Sequence, residues 1–505
     1  MRLSHLLSTL AAIRLPEGEW DEEIVSLVTD SAGACVGALF VCLRGERQDG
    51  HAYAMDAYVR GCRHFLCEYP PHLPKDAHVA YVPDCRLALA HLSAVWYGYP
   101  ERELTLIGIT GTKGKTTTAL MMYQLLSAVH VPVGYIGSEG ILYAHVHRDT
   151  KNTTPDAPTL RRAFRDMRAC GVRAVIMEVS SQALSCGRVE EPSFPICLFT
   201  NLAADHIGEG EHPDFYHYRE AKARLFSDMG CRTMIVNADD PASSYMMAGA
   251  SASRIVTVSC RSGEGSLYAE RIRENRHNGH FATSFFLCVQ GGDSIPVSIP
   301  LPGECNVENA LLALSGTQEY LAAYEGRDIS YRTLSGFMAD ITVRGRFEQV
   351  KTSLSDVDFL IDYAHNGYSL RAAIAALRAY APTRLVCLFG SVGGRTYSRR
   401  TELAEAACAA DFCIVTTDNP GTEPPEETMR EICRVLAENE REFVAIPDRE
   451  EAIRYAVRHA RAGDVILLAG KGHEDYQLIG DRRVPFHERD ILLFAVEERL
   501  SAAVP

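Results

Sequence analysis

The sequence predicts an α/β protein of three domains, each built on a mostly parallel sheet. Nearly continuous apolar runs, such as RAVIMEVS, ICLFTNL and DVILLAG, recur along the chain and alternate with helical stretches. Such runs are typical of strands that are buried on both faces of a parallel sheet. The chain also has 505 residues, which suits roughly three domains of about 150 residues each.

The domain boundaries lie where this pattern changes. Residues 1–100 hold the short strands GALFVCL, HFLCEY and HVAYVP and predict a small α/β domain. Residues 101–342 begin with a strand, a glycine-rich loop and a helix, which predicts a P-loop-type domain with a doubly wound parallel sheet. Residues 343–505 follow an irregular stretch and hold the strands FLIDYA, RLVCLFG, FCIVTTD and DVILLAG. They predict a third, Rossmann-like α/β domain.

Composition argues against several kinds of protein. Hydrophobic residues make up 47% of the chain and charged residues 23%, as in a soluble globular protein. The formal net charge of −14 argues against nucleic-acid binding, since neutralising phosphates requires clustered Lys and Arg. The sixteen cysteines are scattered and form no C-x-x-C motif. This favours reduced thiols packed in apolar cores over disulfides.

The opening stretch, MRLSHLLSTLAAIRLPEGEW, predicts a short amphipathic helix. His5, Ser8 and Thr9 interrupt its apolar run, and no small-residue cleavage site precedes the acidic residues that follow, which argues against a signal peptide. No run reaches the roughly 18–20 apolar residues that a membrane span requires. We therefore expect a cytoplasmic protein with no membrane span and no nucleic-acid partner.

The stretch LTLIGITGTKGKTTTAL predicts a phosphate-binding loop. A strand, a turn containing Gly111 and Gly114, and a following helix point several backbone N–H groups at one place, next to the positive end of the helix. Lys115 can reach terminal phosphates, and the hydroxyl of Thr116 is placed to bind Mg²⁺. A glycine-rich turn without a ligand is the alternative, but such a turn needs neither a lysine nor three threonines. Ile109 stands where the general P-loop pattern has a glycine.

The segment GTKGKTTT resembles the nucleotide loop of the Mur ligase superfamily, in which the departure at Ile109 is the usual form. The segments NTTPDA, MEVSSQAL, FTNLAADHIGEG, YREAKARLF, PGECNVENALLA, VRGRFE, IDYAHNG, TTDNPG and AGKGHEDYQ follow in the order of one branch of that superfamily. This branch adds the third amino acid to UDP-N-acetylmuramoyl-L-alanyl-D-glutamate. The resemblance extends from Thr29 to Ile491.

The resemblance implies an ADP-forming ligase of peptidoglycan precursor synthesis. ATP would activate a carboxylate as an acyl phosphate, and an amine would then displace phosphate. The expected partners are the UDP-linked dipeptide, an amino acid, ATP and Mg²⁺, and we expect a monomer. Little covalent chemistry is asked of the protein, so positioning and electrostatics should dominate catalysis.

The family pattern assigns residues to each part of this reaction. ATP binding falls to Gly111, Thr112, Lys113, Gly114, Lys115, Thr116, Thr117, Asn306, Asn309, Arg346 and Asp362. Catalysis is assigned to Lys115, Glu178, His206 and Lys222. Metal binding is assigned to Thr116, Glu178, His206 and a carbamylated Lys222. Binding of the UDP substrate is assigned to Ser31, Thr153, Thr154, Ser180 and Arg188. Binding of the added amino acid is assigned to Arg395, Asp418, Asn419, Gly470 and Glu474.

Several of these residues have a simpler alternative role. Glu178 could form a salt bridge with an arginine, and His206 could be a satisfied loop residue. Asp205 could orient His206 or cap a turn. Lys222 could be an ordinary solvated lysine on an amphipathic helix.

Three further residues also have simpler alternatives. Asn306 could cap the helix in which it lies. Arg346 and Asp362 could each belong to an interdomain salt bridge rather than contact ATP.

Three positions near the UDP-substrate residues depart from the family pattern. Ala32 stands where an arginine is common, Gln182 replaces a histidine, and Cys186 replaces a glutamine. We therefore expect the contacts with the peptidyl substrate to differ in detail from those of the family.

The identity of the added amino acid depends on the segment DNPG. Family members that take meso-diaminopimelate carry an arginine in place of Gly421, and its guanidinium can pair with the distal carboxylate. Here that arginine is missing, and Glu423, Glu426 and Glu427 follow. We therefore predict L-lysine, while meso-diaminopimelate or another diamino acid stays open. The glutamates could equally form a solvated helix start.

Two rival functions are weaker. Another amide ligase of the superfamily, such as a folylpolyglutamate synthetase, is disfavoured by the segments DSAG, TTP and EVSS. A nucleotide-binding partner without ligase activity is disfavoured by the retention of Lys115, Glu178, His206 and Lys222.

Overall fold

The computed structural model describes residues 1–11, 13–15, 20–45, 48–204, 207–208, 211–261, 263–277, 279–292, 294–394 and 397–502. The chain forms two compact units. The first unit consists of Met1–Ser259, Gly263–Leu267 and Leu311–Tyr331. The second unit consists of Cys260–Ser262, Tyr268–Ala310 and Arg332–Pro505.

The first unit begins with a four-stranded parallel sheet in the order β1-β2-β3-β4. Its elements are α1 (Leu3–Leu7), β1 (Ser26–Val28), β2 (Ala38–Val41), α2 (Ala54–Val59), β3 (His64–Cys67), β4 (His78–Tyr81) and α3 (Cys85–Tyr97). Separate apolar clusters cover its two faces. The predicted amphipathic helix at the start is α1, whose three leucines are buried.

The first unit also contains a larger sheet, with the strand order β12-β11-β10-β5-β9-β6-β7-β8. Its strands are β5 (Thr105–Thr110), β6 (Val133–Gly137), β7 (Gly140–Tyr143), β8 (Val146–Arg148), β9 (Ala174–Glu178), β10 (Ile196–Phe199), β11 (Thr233–Asn237) and β12 (Arg254–Ser259). Its helices are α4 (Lys115–Ala128), α5 (Ala157–Ala169), α6 (Ser181–Ser185), α7 (Phe215–Ser227) and α8 (Ser243–Ala248). Strands β12 to β6 are parallel, and β7 and β8 are antiparallel.

Strand β5 occupies the middle of this sheet because its apolar side chains are covered on both faces. The register pairs Ile109 with Leu198 of β10 on one side and with Glu178 of β9 on the other. The carboxyl ends of β5, β9 and β10 therefore meet at one edge, where an open α/β sheet binds its ligands.

The second unit is built on a six-stranded sheet in the order β16-β17-β21-β18-β19-β20, parallel except for β16. The elements that begin in or border on this unit are β13 (Leu267–His277), β14 (His280–Val289), β15 (Ser294–Ile299), α9 (Glu304–Tyr324), α10 (Tyr331–Gly336), β16 (Glu348–Val350) and β17 (Asp358–Asp362). Of these, Leu267, Tyr331 and the part of α9 from Leu311 onward belong to the first unit. There follow α11 (Gly367–Arg378), β18 (Arg384–Phe389), α12 (Tyr397–Ala407), β19 (Phe412–Val415), α13 (Pro425–Glu438), β20 (Phe443–Ala445), α14 (Arg449–Arg458), β21 (Asp464–Ala469), β22 (Tyr476–Ile479), β23 (Arg482–Pro485) and α15 (Glu488–Ala502).

The predicted fold class is confirmed: helices alternate with strands, and the main sheets are parallel. Three main sheets lie in the three predicted regions, but the compact units follow other bounds: the first unit holds residues 1–100 with most of 101–342, whereas residues 268–310 and 332–342 belong to the second unit. The proposed boundaries at residues 100 and 342 therefore stay a prediction. All sixteen cysteines are described, and none forms a disulfide. None of the helices in the described ranges has the length and apolar character of a membrane span.

A buried ion pair ties the strand ends of the second unit together. Arg449, at the start of α14, is 1% exposed, and its Nε donates to Oε1 of Glu488 at 2.8 Å. The same guanidinium donates to the carbonyl oxygens of Thr417 after β19 and Ala469 at the end of β21. Burial raises the pKa of Glu488, and Arg449 opposes that rise. The pair therefore positions the residues that follow both strands.

Replacing Arg449 with Met should lower the free energy of unfolding by about 3–5 kcal/mol, because the carboxylate of Glu488 stays buried without its cation. The loss should shrink as pH falls, since a protonated carboxyl needs no cation. Urea denaturation of the full chain at several pH values measures both effects. The control is Arg434→Met, which removes an exposed pair with Glu438 and should cost at most about 0.5 kcal/mol. Equal losses in the two variants would contradict a special role for Arg449.

Candidate active site

The loop between β5 and α4 has a backbone that only glycine fits well. Gly111 has a φ of 152° and Gly114 a φ of 83°. A Cβ atom on Gly111 would lie 1.9 Å from Oγ1 of Thr200, far inside the contact limit. The two glycines therefore let the loop turn closely over the end of β10 before α4 begins at Lys115.

Residues after β10 hold this loop in shape. The backbone N–H of Thr112 donates to the carbonyl oxygen of Asn201 at 2.8 Å. The N–H of Lys113 donates to Oδ1 of the same asparagine at 2.9 Å. The hydroxyl of Thr200 donates to the carbonyl oxygen of Lys113 at 2.6 Å. The loop is thus braced by the protein itself, as an anion site should be.

Two predicted catalytic lysines converge on one backbone carbonyl. Nζ of Lys115 and Nζ of Lys222 each donate to the carbonyl oxygen of Gly111 at 2.8 Å. Lys222 is only 2% exposed and lies in α7. The alternative of an ordinary solvated lysine is therefore wrong. Tyr218, one turn earlier in α7, has its hydroxyl 3.0 Å from Oγ1 of Thr112, so α7 contacts the loop twice.

Glu178 is a buried carboxylate held by neutral donors. It ends β9 and is 0% exposed. Its Oε1 accepts from the hydroxyl of Tyr135 at 2.6 Å and from the N–H of Ser138 at 2.9 Å. Its Oε2 accepts from the hydroxyl of Thr116 at 2.9 Å. Burial, and then the negative charge of Glu178, raise the pKa of Tyr135 well above its ordinary value.

This carboxylate fits a metal ligand better than an ion-pair partner. No Lys or Arg in the described part of the chain forms a salt bridge with Glu178, so the arginine alternative finds no support. A carboxylate and a hydroxyl are the hard oxygen donors that Mg²⁺ prefers. Thr116 and Glu178 are thus brought together as predicted. His206 and Asp205, the predicted neighbours of this site, lie outside the described residues.

Four of the five predicted UDP-substrate residues also gather at the end of β9. The hydroxyl of Thr154 donates to the carbonyl oxygen of Glu178 at 2.8 Å and accepts from the N–H of Ser180 at 3.0 Å. Nη1 of Arg188 donates to the carbonyl oxygen of Thr154 at 3.2 Å. The hydroxyl of Thr153 lies 3.1 Å from that of Ser138. The segments that carry these residues are therefore tied to the predicted metal site.

The fifth residue, Ser31, lies elsewhere in the first unit. It begins a short 3-10 turn that Asp30 caps, and it lines a cavity of about 550 Å³. The cavity is also lined by Thr29, Leu43, Gly45, Gln48, Gly50 and Tyr53. Its size suits a small-molecule group, so the assignment of Ser31 to the substrate stays a prediction with a suitable cavity beside it.

The positions predicted for the adenine end of ATP lie in the second unit. Nδ2 of Asn309 donates to Oδ1 of Asn306 at 3.2 Å, and both amides are buried. Nδ2 of Asn306 donates to the carbonyl oxygen of Pro302 at 2.7 Å. Asn306 lies inside the first turn of α9, and its side-chain oxygen accepts from the amide of Asn309. An N-cap residue would instead precede the helix and accept from a backbone N–H, so Asn306 does not cap the helix in that way.

Arg346 and Asp362 are close enough to interact electrostatically. Burial raises the pKa of Asp362, and the positive charge of Arg346 opposes that rise. Oδ2 of Asp362 accepts from the N–H of Phe347 at 2.8 Å, and the guanidinium of Arg346 lies 4.8 Å from the ring centroid of Tyr363. No salt bridge of either side chain occurs among the described residues. The interdomain salt-bridge alternative therefore finds no support.

Predicted amino-acid-binding residues surround Lys471, which the sequence interpretation did not assign. Nζ of this fully buried lysine donates to Oδ1 of Asn419 at 2.8 Å and to Oε2 of Glu474 at 2.7 Å. It lies 3.6 Å from Oδ1 of Asp418. Burial raises the pKa of Asp418, and the positive charge of Lys471 opposes that rise. A Cβ on Gly470 would approach Oδ2 of Asp418 to 2.9 Å.

The four predicted residues thus form one polar cluster, while Arg395 lies outside the described residues. Lys471 lies in the motif AGKGHEDYQ, which the sequence shares with the family and which could have identified it as a site residue. Its strand-end position was visible in the sequence, but its contacts with Asn419 and Asp418 were not.

The glutamates that suggested a cationic substrate are engaged otherwise. Oε2 of Glu423 accepts from Nη2 of Arg400 at 2.5 Å and from the N–H of Gly394 at 2.7 Å. Burial acts to raise the pKa of Glu423, but these hydrogen bonds outweigh it and hold the pKa below its ordinary value. Glu426 and Glu427 are exposed in the first turn of α13. The solvated helix start is therefore the better description, and the glutamates give no support to lysine.

Comparison with known proteins places this geometry in context. Residues 109–316 match the Mur ligase middle domain, and residues 345–472 match the Mur ligase, glutamate ligase domain. The chain is 38% identical to the UDP-N-acetylmuramoyl-L-alanyl-D-glutamate–2,6-diaminopimelate ligase of Geobacillus kaustophilus, over 99% of this chain and 100% of the relative. It is 33% identical to the ligase of the same name from Listeria monocytogenes, over 100% of both chains.

Solved structures agree with these relatives. The structure of a UDP-N-acetylmuramoyl-L-alanyl-D-glutamate–2,6-diaminopimelate ligase is similar with a TM-score of 0.67 and 26% identity, and the match covers 99% of both chains. MurF from Acinetobacter baumannii is similar with a TM-score of 0.61 and 19% identity, covering 94% of this chain and 93% of that chain. At that identity the second likeness concerns the fold alone.

Replacing Gly111 with Ala should weaken ATP binding at least about tenfold, because the added Cβ collides with Thr200 and displaces the loop. Isothermal titration with ATP and Mg²⁺ measures the affinity. The matched control is Gly336→Ala, since a Cβ on this helical glycine meets no atom within 4 Å and should leave the affinity unchanged. Unaltered affinity in the Gly111 variant would mean that the loop does not contact the phosphates.

Proposed function

This chain belongs to the Mur ligases, ATP-dependent amide ligases of peptidoglycan synthesis, and we propose that it joins meso-2,6-diaminopimelate to UDP-N-acetylmuramoyl-L-alanyl-D-glutamate. The observation that carries the proposal is 38% identity over the full length to a relative named for this reaction. Agreement across 99% of this chain favours this branch over other amide ligases of the superfamily. Mg²⁺ is the metal that we propose for the reaction.

L-lysine, predicted from Gly421 and its neighbouring glutamates, is the less supported substrate. The relatives at 33–38% identity are named for diaminopimelate. In addition, Glu423 is already paired with Arg400, so it offers no free charge to a second ammonium group.

We assign the binding of the ATP phosphates and of Mg²⁺ to the first unit. The backbone N–H groups of residues 111–116 and the ammonium of Lys115 would bind the ATP phosphates. Thr116 and Glu178 would hold a first Mg²⁺, and His206 and Lys222 would hold a second Mg²⁺ near the γ-phosphate. When bound there, Mg²⁺ neutralises negative charge on the phosphates. Carbamylation of Lys222 is part of the proposal, because a protonated ammonium repels a cation, whereas a carbamate offers the anionic oxygen ligands that Mg²⁺ prefers.

The chemistry proceeds in two displacements. An oxygen of a glutamate carboxylate on the UDP-dipeptide attacks the γ-phosphorus of ATP, the bond to the bridging oxygen breaks, and ADP leaves. The amine nitrogen of the amino acid then attacks the acyl carbon, loses a proton, and the carbon–oxygen bond to phosphate breaks. Lys115 would stabilise the charge that develops on the transferred phosphoryl group.

The polar cluster of the second unit is assigned to the amino acid. The carboxylates of Asp418 and Glu474 would attract its α-ammonium group, and Lys471 orients both acceptors through its contacts with them. Arg395 is proposed to bind the α-carboxylate. Cytoplasmic location and a monomeric state remain predictions.

Replacing Lys222 with Ala should reduce ligase turnover by more than about 100-fold, because the proposed anionic metal ligand is lost. Added short-chain carboxylates such as acetate should restore part of the activity. Coupled detection of ADP release measures both effects, and Lys151→Ala, at an exposed position, is the control. Full activity of Lys222→Ala would rule out the metal role.

Wild-type enzyme should release ADP only when both the UDP-dipeptide and an amino acid are present. Among L-lysine, L-ornithine and meso-diaminopimelate, the last should give the highest kcat/KM. An amino-acid panel with purified enzyme measures this order. ATP hydrolysis that ignores the UDP-dipeptide would refute the ligase proposal, and a higher kcat/KM for lysine would refute the substrate assignment alone.

A further inference from the structure

We propose that Arg483 is the specificity residue that binds the distal carboxylate of the diamino acid, in place of the missing arginine at position 421. The inference rests on the proposed function, because it concerns the second carboxylate of that substrate. It follows from how the hairpin β22–β23 is attached to the DNPG segment and from what its side chains contact.

Gly421 is joined to the hairpin by its backbone. Its N–H donates to the carbonyl oxygen of Leu478 at 2.9 Å, and its carbonyl oxygen accepts from the N–H of Gly480 at 2.7 Å. Gly421 has a φ of 59°, and a Cβ there would meet no atom within 4 Å. The hairpin therefore lies directly beside the position where the family resemblance implies an arginine in diaminopimelate-adding members.

Strand register places Arg483 and Tyr476 on one face of the hairpin. Leu478 pairs with Arg483, and Tyr476 pairs with Pro485. Since side chains alternate along a strand, Tyr476, Leu478 and Arg483 share a face, and Arg482 points to the other. The guanidinium carbon of Arg483 accordingly lies 4.4 Å from the ring centroid of Tyr476.

Tyr476 links Arg483 to the amino-acid cluster. Nζ of Lys471, the centre of that cluster, lies 5.2 Å from the centroid of the same ring. Burial, and then Glu474, raise the pKa of the Tyr476 hydroxyl, while Arg483 lowers it and Asp418 raises it. The Tyr476 hydroxyl therefore interacts electrostatically with Arg483 and with both carboxylates that are assigned to the α-ammonium group.

The charge of Arg483 is also available to a ligand. It is exposed, and within the described ranges it forms no salt bridge. Arg400, the other arginine beside the DNPG segment, is committed to Glu423 and Glu431. A guanidinium stacked on an aromatic ring keeps its planar fork of donors, which matches a carboxylate in bidentate geometry.

The chemistry of the substrates makes this contact selective. Diaminopimelate and lysine both present a second ammonium group, but only diaminopimelate carries a carboxylate beside it. A guanidinium near the distal end of the bound substrate would therefore favour diaminopimelate over lysine. Gly421 pairs with Ile479, the neighbour of Leu478, and Leu478 is the register partner of Arg483. A Cβ at position 421 would meet no atom within 4 Å, so there is open space for a substrate carboxylate beside this part of the hairpin.

The experiment compares Arg483→Ala, Arg483→Lys and Arg482→Ala in the full-length enzyme. Arg483→Ala should lower kcat/KM for meso-diaminopimelate roughly 10- to 100-fold, mainly through KM. The KM values for ATP and the UDP-dipeptide, kcat/KM for lysine and the melting temperature should stay unchanged. Arg483→Lys should give an intermediate loss, since it keeps the charge without the bidentate fork. Arg482→Ala, on the opposite face, should behave as wild type.

The proposal is overturned if Arg483→Ala leaves the preference for diaminopimelate intact, or if kcat/KM falls equally for both amino acids. An equal effect of Arg482→Ala would also overturn it, because general surface charge would then explain the result. A wild-type enzyme that prefers lysine refutes the proposed function instead. A wild type that prefers diaminopimelate with an unaffected Arg483 variant refutes only the role of Arg483.

Discussion

The carboxylate of Glu178 sets the arrangement of the phosphate end of this molecule. Burying a charge without a cation is costly, and only close hydrogen bonds offset that cost. Tyr135 at the middle of β6, Ser138 after that strand, and Thr116 in α4 all donate to its two oxygens. Its backbone carbonyl accepts from Thr154. One anion therefore connects the phosphate loop, two strands and the segment predicted to bind the UDP substrate.

The same principle acts in the second unit with the opposite sign. Lys471 is a buried cation, and Asn419, Glu474 and Asp418 are arranged around it. Beneath this cluster, Arg449 bonds the carbonyl oxygens of residues 417 and 469 at the two strand ends that carry it. Fixing these groups before a ligand arrives reduces the ordering that binding would otherwise require.

The residues that we propose for the α-amino-acid group and for selectivity lie on different elements. The α-amino-acid cluster follows β19 and β21 of a rigid parallel sheet, whereas the DNPG segment pairs with a short antiparallel hairpin. The pairing of Gly421 with Ile479 brings the hairpin that carries Arg483 next to this segment. If Arg483 binds the second carboxylate as proposed, a glycine at position 421 does not by itself remove its recognition.

The sequence by itself determined the fold class, the phosphate loop and the ligase family, because these depend on local apolar runs and on short motifs with fixed spacing. It also selected Thr116 with Glu178 and Asp418 with Glu474, since family motifs carry them. Only the tertiary structure decided what surrounds them. Tyr135 lies 43 residues from Glu178, and Arg400 neutralises Glu423 from another helix. Such partners meet through strand order and packing across the fold, which no local pattern in the chain records.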